Sequence, residues 1–341
     1  MGDEASRELV AIHRQEAEPI PAFTGGRVTG DAREAIAQAV AAWLLRTPSV
    51  HTRKAYEHDL NQFLTHAGIE PGAFDQLPKV RPEHVAAWRD QLTAAGMTNS
   101  SIRRKLTALR SVFSYLQIYG YSGANPAHGK FVAAPAVARD GKTVGLSPHD
   151  CRRLLDVAEG EPGKATPVDL RDRAMLAVLA YSGCRVGELV RLRVRDYKQS
   201  GEHRILNITG KGGKERTTPL HLEAVERLAQ WLGVPGVNEP GGVLFRPAKS
   251  PRGMGRDGFA DKAMTTRAVE KLIGRYVKSL GLDPNVTVHS LRVTALTTAR
   301  ERGADIIDLQ DFAGHADPRT TLTYIRTRDR LSKSPAYVLK Y

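Results

Sequence analysis

The chain has 341 residues, 41% hydrophobic and 26% charged, the profile of a soluble globular protein with room for two domains and a core in each. Its formal charge of +13 points to a polyanionic partner, nucleic acid first and an anionic membrane surface second. No apolar run reaches the roughly 18 residues of a membrane span; the polar, acidic start MGDEASRELV lacks a signal-peptide pattern; and Cys151 and Cys184, without CxxC or Cys/His companions, exclude a metal cluster and a disulfide framework and fit a reducing, cytosolic setting.

The charge is uneven along the chain. Residues 1–30 carry three Arg against five acids and no clear period, and are expected to form a mobile extension. Residues 31–130 carry twelve Lys and Arg against eight acids, and residues 131–341 hold the largest excess, so the positive charge lies within folded segments. From Asp31, a predicted N-cap, DAREAIAQAVAAWLL has helical spacing. Further helices are predicted near 50–66, 82–95 and 98–118. In the last, Ile102, Leu106, Leu109, Phe113 and Leu116 form one buried stripe, with Arg103, Arg104, Lys105 and Arg110 mostly off it. With Arg53 and Lys54 these are candidate DNA contacts; a merely solvated charged face is the plain alternative. Residues 31–125 thus read as a helical domain and 126–146, rich in Gly, Pro and Ala, as a linker. Ser147-Pro148 opens the second domain, 147–341, as N-cap and first helical residue. Helices are predicted there at 147–159, 167–182, 221–233, 265–280, 289–302, 305–313 and 317–326. RILNITG, KGGK and ERTTPL between them read as a β-hairpin.

Four stretches of this second half carry chemistry. In YSGCRVGEL an apolar helix ends at Gly183 and Arg185 follows at the turn; an Arg185–Glu188 surface pair is its plain reading. In TGKGGKER, Lys211, Lys214 and Arg216 flank two glycines that let a hairpin tip approach a phosphate closely, although P-loop spacing is absent and an ordinary turn with solvated lysines is the alternative. In VHSLR, His289 and Arg292 share a helix face, either as a phosphate clamp or as a helix-start histidine beside a surface Arg; the HExxH pattern of zinc hydrolases is missing. In AGHADPRTTLTYIRT, Asp317 and Pro318 are a good N-cap and first residue, His315 precedes them, and Tyr324 lies about 10 Å up the helix. Tyr324 packing beside Leu322 and Ile325 is the plain reading. Singly, each plain reading suffices. Together, two Arg, a Lys, two His and a Tyr match one reaction, phosphoryl transfer to a tyrosine. A phenol with a pKa near about 10 needs a base or a strong positive field for that attack.

This ordered set resembles the tyrosine recombinase family, the phage-integrase and Xer-type site-specific recombinases. The family's Arg, Lys, His-x-x-Arg, His, Tyr series stands here as Arg185, Lys211, His289, Arg292, His315 and Tyr324. Cys184 before the Arg, Val293 after Arg292 and AGH for the common LGH are departures that remove no catalytic group. The resemblance implies a mainly α fold with a small β-sheet: a helical, SAM-like core-binding domain and an α+β catalytic domain, forming a C-shaped clamp on double-stranded DNA. It also implies attack by Tyr324 to give a 3′-phosphotyrosyl bond, with Arg185, Arg292 and His315 on the phosphate, His289 as base and Lys211 as acid to the leaving 5′-oxygen. No metal, ATP or other cofactor is implied. The expected partners are an inverted-repeat core site and a homotetramer that passes through a Holliday junction, in the cytoplasm on the nucleoid. The tail 334–341, with Tyr337, Val338 and Leu339, docks on a neighbouring protomer in this picture, with docking in cis as the alternative. An accessory protein is compatible with the sequence and unspecified by it. A type IB topoisomerase, a hairpin telomere resolvase and a catalytically silent DNA-binding regulator share the fold and are the rival readings. A membrane-surface protein lacks the amphipathic helix it needs.

Overall fold

In a computed structural model, which describes residues 32–137, 143–157, 165–249 and 258–325, the first unit is helical throughout. Helix α1 (Ala32–Leu45), α2 (Val50–His66), a 3-10 turn (Phe74–Lys79), α3 (Pro82–Ala94) and α4 (Asn99–Ile118) follow the apolar periodicity closely. Ser49 and Thr98 cap α2 and α4 by accepting from the backbone N–H groups of Thr52 and Ser101, which satisfies donors with no partner inside the helix. The expected N-cap Asp31 lies outside the described residues. The predicted α4 stripe is fully buried, against Leu60, Phe63, Leu77, Val85 and Trp88. Each such side chain contributes roughly 1.5–3 kcal/mol. Trp43 stacks on Tyr56 at 5.5 Å and donates to Ser111 Oγ at 2.9 Å, fixing α1 to α4.

The basic face of α4 is less available than its sequence suggests. Asp59 on α2 is fully buried and draws cations inward. Arg104 binds both of its oxygens, through Nη1 and, at 2.9 Å, Nη2. Lys105 is buried, donating to Asp59 Oδ1 at 2.8 Å and to Gln62, with its ammonium over the Trp88 ring. Lys105 is therefore an interior partner and not a surface DNA contact. Arg110 is turned likewise to the carbonyls of Ala127 and Val132, both at 2.8 Å. Arg53 is half-buried, while Lys54 and Arg103 are exposed. The contacts of Arg110 also correct the predicted linker. Ala127 and Val132 are buried in the first unit, and Asn125 ties their segment to the Arg110 carbonyl and Ser114, so its first part is packed structure. Leu146, near its other end, is buried in the second unit, where its N–H bonds Thr294 Oγ1.

The second unit, divided from the first after residue 138, surrounds one apolar helix. Helices α5 (Pro148–Asp156) and α6 (Pro167–Ser182) lead to a single turn, α7 (Val186–Leu189). Strands β1 (Tyr197–Ser200), β2 (His203–Thr209) and β3 (Glu215–Pro219) follow, and then α8 (Leu222–Leu232), α9 (Thr266–Ser279), α10 (Val288–Glu301), α11 (Ile306–Ala313) and α12 (Pro318–Ile325). The three strands form an antiparallel sheet in chain order, with Leu206 opposite Thr218 and Ile208 opposite Arg216. Strand β1 was not anticipated: it is an edge strand with three of its four residues exposed, so it has no apolar alternation. In α6, Ala174 to Leu179 are all buried, as a helix apolar on every side must be. Helix α9 is held to it by Tyr276, whose hydroxyl donates to Asp172 Oδ2 at 2.8 Å, while Arg171 pairs with Asp172 Oδ1 at 2.6 Å. The predicted helix 147–159 ends at Asp156; the other predicted helices of this unit agree to within two residues. Among the described residues no helix is long and apolar enough to cross a membrane.

Asp59→Ala should cost about 3–5 kcal/mol, because it strands the buried Lys105 ammonium. Urea unfolding measures this. Asp59→Leu combined with Lys105→Met should recover most of the loss.

Candidate active site

The site of the second unit assembles around two buried polar groups, the Arg292 guanidinium and the Glu188 carboxylate. Arg292 is 1% exposed, although its helix is otherwise an ordinary packed element. A buried guanidinium needs acceptors, and it finds them at the ends of two other helices. Nη1 donates to the Gly183 carbonyl at the end of α6, and Nη2 donates to the Ala313 carbonyl at the end of α11. Nη2 also lies 2.8 Å from His315 Nε2. Both helices end in a left-handed glycine, Gly183 at φ 58° and Gly314 at φ 60°. A Cβ on Gly183 would sit 2.6 Å from the Phe312 ring, and one on Gly314 3.0 Å from the Arg216 guanidinium, so both turns also need the missing side chain.

Arg185 is the residue before α7, at its N-cap. Its backbone N–H donates to Glu188 Oε2 and its Nη1 to Glu188 Oε1, both at 2.9 Å. Glu188 is buried, while the Arg185 side chain stays 42% exposed, so the pair aims a held guanidinium outward. Arg216 on β3 adds a third anchor: Nη2 donates to Glu188 Oε2 at 2.8 Å and Nε to the Phe312 carbonyl at 3.1 Å. Arg216, expected on the DNA, is thus largely buried and employed within the protein, whereas Lys214 is exposed. Burial raises the Glu188 pKa, but the hydrogen bonds from Arg216 and Arg185 outweigh it and hold the group down at about 2.

The structure brings Arg185, Arg292 and His315 together. His315 is 7% exposed. An Arg donates and never accepts, so His315 Nε2 must carry the lone pair towards Arg292. The proton is then on Nδ1, donated to Thr321 Oγ1 at 2.9 Å. Burial, then the cations Arg292, Arg185 and Arg216 and the neighbouring His289, press the His315 pKa down to about 4. His289, on the first turn of α10, reaches the surface; desolvation first, then Arg292 and Arg185, lowers its pKa below the usual value. The Lys211–Gly213 turn begins beside this group, since Gly210 lies against Glu188 Oε1 and its N–H bonds the Lys214 carbonyl at 2.7 Å. The backbone of Lys211 lies in that turn and the backbone of Tyr324 on α12, three residues beyond Thr321; both side chains lie outside the described set. Asp317 caps α12 as predicted, accepting from Arg319 N–H at 2.8 Å. Sequence reasoning missed Thr321, which has no periodic signature. It also took Glu188 for a surface partner, although the Arg-x-x-Glu spacing of a capping box was the available signal.

Residues 145–330 match the model of the phage integrase family, and residues 43–118 match that of the phage integrase N-terminal SAM-like domain. The chain belongs to the phage integrase family. It is 32% identical over 294 residues to tyrosine recombinase XerC of Pelobacter propionicus, covering 84% of this chain and 88% of that one. With tyrosine recombinase XerC of Methylobacterium sp. it shares 32% over 306 residues, 85% of this chain and 89% of the relative. It is a XerC-like tyrosine recombinase. Its fold is that of XerH site-specific recombinase bound to palindromic difH substrate, at TM-score 0.66 and 17% identity over 98% of this chain and 89% of that one. A lambda integrase dimer bound to a COC′ core site matches at TM-score 0.63 and 17% identity, over 88% and 95% of the two chains.

The depressed His315 pKa has a consequence for the recombinase's stability. Between about 4 and the ordinary 6.5 the unfolded chain holds a proton that the folded site excludes. Stability is therefore full above pH 6.5 and falls as the pH drops towards 4, by up to about 1.4 kcal/mol per unit from this group. His289 acts in the same direction. Urea midpoints measured from pH 7 down to pH 5 should fall less steeply for His315→Gln than for the wild type.

Proposed function

We propose that this recombinase cuts and rejoins DNA strands at a specific site, with Tyr324 as nucleophile and a 3′-phosphotyrosyl intermediate. The observation that carries the proposal is the convergence of Arg185, Arg292 and His315, three groups held at fixed geometry in a cationic, partly water-excluded site. Such preorganised donors stabilise charge that develops on a phosphate's non-bridging oxygens, and they need little reorganisation during the reaction. Arg185 presents its exposed guanidinium to one oxygen, and Arg292 and His315 serve the other from the protein side. Tyr324 Oη forms the new bond to phosphorus as the bond to the 5′-oxygen breaks. His289, kept neutral at pH 7 by its depressed pKa, takes the phenolic proton. Lys211, at the hairpin tip, protonates the leaving 5′-oxygen. The phosphodiester's free energy is retained in the adduct, so a 5′-hydroxyl from a partner duplex reverses the step without ATP or metal.

The DNA is double-stranded with an inverted-repeat core, by analogy with the palindromic and core-site DNA named for the two solved structures. Pairs of protomers on two such sites form a tetramer that passes through a Holliday junction, in the cytoplasm on the nucleoid. Lys54, Arg103 and Lys214 are exposed and contact phosphates, with Arg53 and the half-exposed Arg104 beside them, and binding falls steeply with salt. The tail 334–341, which lies outside the described residues, docks on a neighbouring protomer.

Covalent trapping tests the chemistry. Protein mixed with fragmented host DNA in EDTA and denatured with SDS should retain covalently bound DNA, and Tyr324→Phe should retain none. Tight binding without any wild-type adduct would favour the silent-regulator reading, and site-independent relaxation of supercoils the topoisomerase reading. Arg185→Ala should slow cleavage about 100- to 1000-fold. Deleting 334–341 should weaken synapsis and leave DNA binding intact; native gels on two-site DNA distinguish these.

A further inference from the structure

Helix α12 carries the proposed nucleophile, and its described side chains make little apolar contact. Of its residues from Pro318 to Thr323, only Thr321 is fully buried; Leu322 and Thr323 are half-buried and the first three are exposed. Adjacent α11 rests on a small satellite core of Leu296, Leu309 and Ala313. The polar contact at Thr321 therefore matters more than a threonine usually would. Its hydroxyl oxygen is 2.9 Å from His315 Nδ1, and His315 Nε2 is 2.8 Å from Arg292 Nη2. This chain of contacts runs from the tyrosine's own helix to the proposed phosphate-binding Arg on α10, and Thr321 stands three residues before Tyr324 in that helix.

We propose that Thr321 is a positioning residue: by accepting the Nδ1 proton of His315 it fixes the imidazole as the tautomer whose Nε2 holds Arg292, and it thereby seats the Tyr324 helix against the phosphate clamp. The relay has direction. Arg292 disfavours a proton on Nε2, and Thr321 supplies the acceptor that a proton on Nδ1 needs; without that acceptor the buried Nδ1–H is unsatisfied and the tautomer is held from one side only. That loss would loosen the ring, the Arg292 Nη2 contact and the α12 seat together. Thr321 touches no reacting atom; it acts through His315, as partners of metal-bound histidines set ring orientation and tautomer. Among the described residues, the charged and titratable groups that act on His315 are Arg292, Arg185, Arg216 and His289.

The catalytic consequence rests on the strand-transfer reading above; the tautomer claim does not. The first test compares wild type, Thr321→Val, which keeps the shape and loses the oxygen, and Thr321→Ser, which restores it. Single-turnover formation of the covalent adduct on a cleavable site should fall about 10- to 100-fold in T321V at unchanged DNA affinity, and T321S should return to within about threefold of wild type. The second test records nitrogen-15 spectra of histidine-labelled protein, with His315→Gln used for assignment. His315 should show a protonated Nδ1 in wild type and T321S, and a mixed or Nε2-protonated ring in T321V. Wild-type cleavage rates in T321V, or an unchanged His315 tautomer in a folded T321V, would overturn the proposal. If T321V proves too unstable to use, T321S alone decides through its His315 spectrum: loss of the Nδ1 proton there overturns the proposal. If wild type forms no adduct, the strand-transfer reading fails, and the spectra still decide the role of Thr321.

Discussion

The second unit depends on one requirement: a guanidinium taken out of water must be surrounded by acceptors. Arg292 sits on a packed helix with its head group inside the protein, and leaving it unpaired there would cost several kcal/mol. Backbone carbonyls are free acceptors only where a helix ends. Two helices accordingly end at this point, α6 at Gly183 and α11 just before Gly314, and each turns away through a left-handed residue. Burial of one side chain thus fixes where two helices stop and which residue must follow them. It also joins α6, α10 and the start of the α12 segment at a single point. The same arrangement that stabilises the cation in the protein orients it for an anion arriving from outside.

Glu188 is the second hub, and its role is electrostatic balance. It is a buried carboxylate that pairs directly with Arg185 and Arg216. Its low pKa means that it remains ionised throughout the neutral range, so Arg185 and Arg216 stay fixed while the site as a whole stays positive. Burial first, and that excess after it, keep both histidines neutral: a proton on His289 or His315 would lose water and add charge to a region that already repels it. In the proposed reaction a phosphodiester would supply the missing negative charge. The site is thus polarised towards an anion while its proton-carrying groups are kept in the unprotonated state that a general base requires.

Helix positions were legible in the sequence wherever one face of a segment is apolar, as in the α4 stripe and the run buried in α6. The ordered Arg, Lys, His, Arg, His, Tyr series was legible because its spacing marks a chemistry. What escaped was everything set by a tertiary partner. Lys105 and Arg110 look like a solvated face until Asp59 and the Ala127 and Val132 carbonyls are placed opposite them. Arg216 looks like a hairpin-tip cation until Glu188 is seen to be buried beside it. Strand β1 has no alternation because its side chains meet water. The segment read as a linker has the Gly, Pro and Ala of one, and composition cannot report that Ala127 and Val132 are held down by an Arg on the preceding helix.

The contrast between α10 and α12 bears on how a nucleophile can be both precise and reversible. Arg292 and its acceptors form a firm floor, with the guanidinium closed in by two helix ends and the His315 ring. Among the described side chains of the tyrosine helix, the one that meets that floor is the buried Thr321, through a hydrogen bond. A helix seated by polar contacts in a partly closed site is ordered when those contacts are made, and it is released at modest cost when they are not, because little apolar area must be exposed. The proposed strand exchange would demand this combination: the attacking oxygen must be held in line for each cleavage, and the same helix must later yield the phosphate to an incoming hydroxyl. With the proposed nucleophile on α12 and the proposed phosphate clamp on the deeply packed α10, the two demands would be divided between two elements of the fold.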